Sequence, residues 1–277
     1  MIPVNFAYCR PETLAELADA CARAGDRSFL FYGGGSEILS MARAGSISPE
    51  MVIDLKGLTE FRKIALENGA LTLGATATLA EVAQSNLYPL LSATASRIAD
   101  HTNQCRITLG GNIAGTIAYR EAALPLMLAD ATVVFWSKGA LRRVPFQQSF
   151  QRRLMRAPDE AVVAFEVDES FLSMPWAHAK RTRGDKIDYP VVTIAALRAP
   201  DGLRFALSGA LAYPFRDPAL EQIFSDARSS PSARAKEILR RLPEPIPSDA
   251  LAGADWRAFQ IRRALECAIE RLEGRSV

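Results

Sequence analysis

The dipeptide Asn68-Gly69, set between two apolar-rich runs at residues 61–66 and 70–74, constrains this chain more than any other short feature. Asn-Gly readily adopts positive φ at both central positions of a two-residue hairpin, whose twist matches that of paired strands. An antiparallel sheet is therefore expected early in the chain. The same pair argues against a doubly wound sheet. A buried strand at 51–55 carries Asp54, but a hairpin follows it where a βαβ repeat would place a helix.

Periodicity fills in the surroundings. Leu14, Leu17, Ala18 and Cys21 recur at helical spacing behind Thr13, a candidate cap. Residues 28–32 form a short apolar and aromatic run that reads as a buried strand, and residues 37–44 can resume as a helix. Helices are expected at 78–84, after Thr76 or Thr78, and at 89–98 and 122–130. Strands are expected at 131–136, 141–144 and 160–167, with Lys138-Gly139 as a turn. A boundary falls near 168–175. Beyond it lie three strand candidates, 177–182, 191–198 and 203–212, with Asp201-Gly202 turning the last two into a hairpin. The C-terminal remainder is helical. It has a Pro-rich break at 243–247 and a final amphipathic helix at 255–272.

Composition excludes several classes of function. The 33 basic and 31 acidic residues give a net charge of +2, which calls for neither nucleic acid nor an anionic membrane. No run of about 18 apolar residues appears, so no membrane span is expected. Residues 1–10 lack a charged segment leading into an apolar stretch, so no export signal is read. The four cysteines, Cys9, Cys21, Cys105 and Cys267, are scattered, which suits a reducing cytoplasm. With two histidines, His101 and His178, they offer no set for zinc or an iron–sulfur cluster, so no metal site is expected. Arg142, Arg143, Arg152, Arg153 and Arg156 cluster locally, either as a solvated face or as a docking rim for another chain.

Two glycine-rich segments carry the candidate chemistry. Gly33-Gly34-Gly35-Ser36 follows the strand at 28–32. Consecutive glycines permit positive φ and close backbone approach, so their N–H groups can converge on an anion such as a pyrophosphate. Ser36 adds a hydroxyl, and a helix starting near Glu37 points its positive end at the same place. Taken singly, the triplet also fits an ordinary tight turn. It is neither the Gly-x-Gly-x-x-Gly fingerprint nor a Walker loop with its lysine. The second segment is Thr108-Leu109-Gly110-Gly111-Asn112. It reads as another glycine turn, and the two together could grip both sides of one dinucleotide diphosphate.

The order of these motifs resembles the FAD-binding (medium) subunit of the molybdopterin-dependent dehydrogenases, the xanthine and carbon monoxide dehydrogenase type. The resemblance is carried by the Gly-Gly-x-Ser segment, the Asn-Gly hairpin, Leu73-Gly74-Ala75-Thr76-Ala77-Thr78-Leu79-Ala80-Glu81, Pro89-Leu90 and Thr108-Leu109-Gly110-Gly111-Asn112-Ile113-Ala114. In the second half it continues through residues 180–193, Gly209, Pro214 and Arg216, and Asp255-Trp256-Arg257. The resemblance implies an α+β fold. A two-subdomain FAD-binding domain of the vanillyl-alcohol-oxidase type (residues 1–170, divided at about 56/57) would precede a smaller α+β domain, 171–277, with a three-stranded antiparallel sheet.

It also implies the site. Tyr32, Gly33, Gly34, Gly35, Ser36 and Glu37 would lie on one side of FAD, with the glycines and Ser36 on the pyrophosphate. Thr108, Gly110, Gly111 and Asn112 would lie on the other side. Tyr119 could stack on the ring, and Glu121 falls where the family has an aspartate on the cofactor. Lys180 and Asp188 fall near the ring edge, where a cation would favour anionic reduced flavin. Ile117-Ala118 stands where many members have Asp-Pro, and the lead-in at 104–108 is shorter than usual.

No residue is expected to act as a catalytic acid or base. The implied role is electron relay: from two-iron two-sulfur clusters on a small partner chain, beside a large molybdopterin-binding chain, through FAD to NAD or another acceptor. Two other readings stay open: a stand-alone flavin oxidoreductase, and a cofactor-free scaffold of the same fold. Neither glycine segment shows an evident histidine or cysteine for covalent flavin, which argues against a stand-alone oxidase.

Overall fold

The computed structural model describes residues 2–185 and 187–274. It is built from three sheets with helices packed on and between them, plus a two-stranded ribbon.

The first sheet is parallel. Met51–Asp54 lies in the centre, with Ala7–Cys9 on one side and Phe29–Tyr32 on the other. All four residues of the central strand are buried, as befits a parallel strand covered on both faces. Helix Leu14–Ala24 packs on it, buries Leu17, Ala20 and Ala24, and is capped by Thr13, whose Oγ1 accepts from Glu16 N. The strand Ala7–Cys9 has no sequence signature, because it is too short to show a period.

The second sheet has five antiparallel strands in the order Ile64–Glu67, Ala70–Gly74, Ala161–Asp168, Thr132–Ser137, Ala140–Pro145. Both expected tight turns are present. Asn68 and Gly69 have φ of 52° and 78°, and Lys138 and Gly139 have 49° and 84°, the positive values that such turns require. The expected run 61–66 divides, because residues Thr59–Arg62 form a helical turn before the strand begins at Ile64. The three central strands of this sheet are covered on both faces. Leu71, Leu73, Val133, Phe135, Phe165 and Val167 join a core with the helices of 79–128. Val134, Trp136, Ala161 and Val163 face the parallel sheet and share its core with Leu17, Ile53 and Phe61.

The third sheet is antiparallel and has three strands: Trp176–Thr182, Pro190–Ala199 in the centre, and Gly202–Ser208. The last strand stops at Ser208 because Gly209 turns the chain at φ +82°. One face packs on helices Pro218–Phe224, Pro231–Arg240 and Ala254–Leu272. The other sends Ala195, Leu197 and Ala206 into the middle core. The fold is thus α+β with a three-stranded antiparallel sheet in its C-terminal part.

The arginine cluster is largely consumed within the molecule. Arg142 pairs with Glu160, Arg143 with Glu166 and Arg152 with Glu244, and Arg156 donates to the Glu160 carbonyl. No described helix is long and apolar enough to cross a membrane.

Candidate functional site

A crevice of about 1000 Å³ opens where the parallel sheet, the helical layer and the C-terminal sheet meet. Its first wall is the segment Gly33–Ser36, which leaves the end of strand Phe29–Tyr32 and starts helix Ser36–Arg43. Gly35 is the N-cap at φ 74° and supplies no side-chain cap. Among the described residues, no protein acceptor takes the N–H groups of Gly33, Gly34, Gly35 or Ser36. Four unclaimed donors at a helix start have the chemistry to attract an anion.

The segment is held from behind by residues that local patterning could not reveal. Lys56 Nζ donates to the Gly33 carbonyl at 3.0 Å and to Asp54 Oδ2 at 2.8 Å. It also sits 4.4 Å from the centre of the Tyr32 ring. Tyr8 Oη donates to Asp54 Oδ2 at 2.7 Å. Tyr32 itself does not line the crevice. Its ring lies beneath Gly35, where a Cβ would meet Tyr32 Oη at 2.1 Å.

The second wall corrects the reading of residues 108–112. They form the first turn of helix Leu109–Ala114, with Thr108 as N-cap, and not a second anion nest. Its glycine amides are already used: Gly110 N–H donates to the Ala75 carbonyl at 2.8 Å and Gly111 N–H to Thr108 Oγ1 at 3.1 Å. Gly110 is required because a Cβ would meet Ala75 Cβ at 2.6 Å. Asn112 Oδ1 accepts from Ala122 N–H at 3.3 Å, tying the helix to the next one. The two glycine segments touch each other. A Cβ on Gly34 would lie 1.8 Å from the Arg106 carbonyl oxygen, and one on Gly33 would lie 2.9 Å from Thr108 Oγ1.

The remaining wall joins distant parts of the chain. Glu37 Oε1 accepts from the backbone N–H of Thr116 at 2.8 Å and from its hydroxyl. Arg120, at φ 30°, is buried, donates through Nη2 to the Arg152 carbonyl at 2.6 Å, and leaves Nε without a partner. Lys180 and Glu121 form a buried ion pair at 3.0 Å. Burial pushes the Glu121 carboxyl up, against the opposing pull of Lys180 and the Thr193 hydroxyl. Tyr119 stacks on Tyr189, with ring centres 5.3 Å apart. Asp188 Oδ1 accepts from Tyr189 N–H at the crevice edge.

Of the residues singled out from the sequence, all but Tyr32 line this crevice. Arg120, Arg156 and Thr116 line it too and were not anticipated, since arginines and threonines are common on any surface. Cys105 and His101 lie near the second segment, with Sγ 3.7 Å from Nε2, but on its exposed side. The described residues hold no cluster suited to a metal ion. Backbone donors at one end, a hydroxyl beside them and stacked aromatic rings elsewhere in the crevice suit a dinucleotide with a diphosphate bridge and a planar ring.

Comparison with known proteins agrees with this chemistry. The chain is 27% identical over 268 residues to the xanthine dehydrogenase FAD-binding subunit of Escherichia coli O157:H7, covering 92% of this chain and 89% of that one. It is 24% identical to the caffeine dehydrogenase subunit beta of Pseudomonas sp. (strain CBB1), covering 100% and 98%. Among solved structures, a chain of the Cu,Mo-CO dehydrogenase superposes with a TM-score of 0.87 at 20% identity, covering 100% of both chains. A chain of quinoline 2-oxidoreductase from Pseudomonas putida 86 gives 0.86 at 21%, covering 99% of both. At those identities the structural likeness speaks for the fold. Residues 4–167 match the family described as the FAD binding domain in molybdopterin dehydrogenase, and the chain belongs to that family.

Proposed function

We propose that this chain is the FAD-carrying subunit of a multi-subunit molybdenum hydroxylase and passes electrons from iron–sulfur clusters on a partner chain to NAD or another acceptor. Its family makes it an oxidoreductase component with FAD as cofactor. The relay, the partner set of one large molybdopterin-binding chain and one small two-iron two-sulfur chain, and a cytoplasmic setting belong to the proposal. So does the division into domains 1–170 and 171–277.

One observation carries the reading: Gly33, Gly34, Gly35 and Ser36, whose N–H groups have no protein acceptor among the described residues, line a crevice of about 1000 Å³. These donors would hold the diphosphate, and the positive end of helix Ser36–Arg43 would add to their attraction. Thr108, Gly110, Gly111 and Asn112 would shape the opposite wall, with Glu37 closing it through Thr116. The surface formed by Tyr119, Glu121, Lys180 and Asp188 would meet the ring. Bound FAD would supply the two-electron to one-electron exchange. The protein would orient the ring, exclude water from one face and set the surrounding charge.

The test is selective binding by the purified chain. FAD, FMN and riboflavin are titrated separately against flavin fluorescence. The proposal expects FAD to bind at least about 100-fold more tightly than riboflavin, since two or more charge-assisted hydrogen bonds are at stake. Equal affinities would show that the glycine segment does not hold a diphosphate. Purification from the native host then tests the relay. Large and small chains carrying molybdenum and iron should accompany this one in a fixed ratio. A chain that purifies alone and reduces an acceptor by itself would overturn the subunit role.

A further inference from the structure

Lys180 is not a free cation in the crevice wall. Its Nζ donates to Glu121 Oε2 at 3.0 Å and to the Arg97 carbonyl at 2.8 Å. Thr193 Oγ1 donates to the other carboxylate oxygen of Glu121 at 2.6 Å. The Lys180 and Glu121 side chains are 2% and 5% exposed, and both residues line the crevice. The assembly draws on the turn before helix Ala123–Leu128, strands Trp176–Thr182 and Pro190–Ala199, and the carbonyl that follows helix Pro89–Ala95. In such a poorly hydrated place a lone charge acts strongly over several ångströms, whereas an opposed pair in contact acts only as a weak dipole.

We propose that Glu121, oriented by Thr193, lowers the reduction potential of a flavin bound in this crevice by cancelling the charge of Lys180. The inference rests on the FAD reading given above and adds a redox role for the ion pair. Two electrons and one proton convert the neutral oxidised ring into an anion. A net positive charge beside the ring would favour that anion, and a neutral pair does so far less. Glu121 is thus a positioning residue that acts through Lys180.

The surrounding groups leave the pair as the tunable element. His178 lies two residues from Lys180 on the same strand, and burial, together with Arg97 and Lys180, lowers its pKa to about 4, so it is neutral near pH 7. Arg97 contributes positive charge to Glu121, and Arg120 and Asp188 line the same crevice. These groups are common to all the variants below.

The experiment measures flavin midpoint potentials on the FAD-loaded chain for wild type, Glu121→Gln, Lys180→Met and the double variant across a pH series. Glu121→Gln frees the ammonium. It should raise the midpoint by at least about 30 mV, a tenfold change in the oxidised-to-reduced ratio for a two-electron couple. The double variant should return towards wild type. Lys180→Met should lower the midpoint at high pH, where its orphaned carboxylate ionises, and less at low pH. A Glu121→Gln potential at or below wild type overturns the proposal. Thr193→Val, which removes one hydrogen bond to Glu121, should move the potential in the same direction by a smaller amount. It decides the matter if Glu121→Gln does not fold. FAD content is read in the same samples. Failure of wild type to hold FAD refutes the crevice reading, whereas full FAD with unmoved potentials refutes only the role of the pair.

Discussion

Gly34 shows how one position can shape a site through the side chain it lacks. Its missing side chain admits the Arg106 carbonyl, so the glycine brings two walls of the crevice together. Gly35 does the conformational work, at φ 74°. His178 illustrates the cost of burial. Its Nε2 has no partner, and burial, with help from Arg97 and Lys180, lowers its pKa from 6.5 to about 4. Between those two values the unfolded chain binds a proton that the folded chain refuses. Stability is therefore unpenalised above pH 6.5 and falls as the pH drops towards 4. The penalty reaches at most about 3 kcal/mol, at 1.36 kcal/mol per unit. Urea unfolding of wild type and His178→Phe at several pH values checks this. The variant should lose stability less steeply between pH 6.5 and 4, and parallel curves would show that His178 titrates freely when folded.

At the scale of an element, helix Leu79–Ser85 is defined by its first turn. Thr78 Oγ1 accepts from Glu81 N–H at 3.1 Å, and Glu81 Oε2 accepts from Thr78 N–H at 2.8 Å, a reciprocal capping box. This box also fixes the crevice, because Thr78 forms a bridge with Thr108, the cap of the second wall. Thr78→Ala should cost about 1 kcal/mol of stability. Its effect on flavin binding should be small, because the bridge to Thr108 is made by backbone groups that alanine keeps. Thermal melts with and without FAD separate the two effects. A variant as stable as wild type would mean that Glu81 alone caps the helix. The short helix Leu109–Ala114 shows the limit of local reading. Gly-Gly in sequence suggests a loop, yet the Thr108 cap and the packing of Gly110 on Ala75 make it helical.

For the whole molecule, the decisive contacts cross between layers. Arg204 and Arg216 of the C-terminal part both reach Asp130, and both donate to carbonyls in helix Ala123–Leu128. Ser208 Oγ donates to the Tyr119 carbonyl, beside the crevice. Arg257 is fully buried and donates to the carbonyls of Val191, Gly209 and Pro247 and to Asp249. It locks the last helix onto the sheet that carries Lys180. Arg257→Met would strand three carbonyls, a loss on the order of 3 kcal/mol. The C-terminal sheet should loosen first, which hydrogen exchange along Pro190–Ala199 would report as faster than in wild type. Unchanged protection there would assign Arg257 to the stability of the helix alone.

The sequence by itself determined the local grammar: the Asn68-Gly69 and Lys138-Gly139 turns, the Thr13 cap, the strand before Gly33 and the buried periodicity of the last helix. These depend on neighbours along the chain, so φ preferences and spacing reveal them. Motif order made the family and the crevice-lining residues legible as well. Only the tertiary structure decided which donors are free and which are spent. Gly110 and Gly111 lose their amides to Ala75 and Thr108, while the Gly33–Ser36 amides stay unclaimed. Glu121 meets Lys180 and Thr193 across long stretches of chain. Hydrogen-bond satisfaction and charge cancellation are properties of neighbours in space, and no pattern along the chain encodes them.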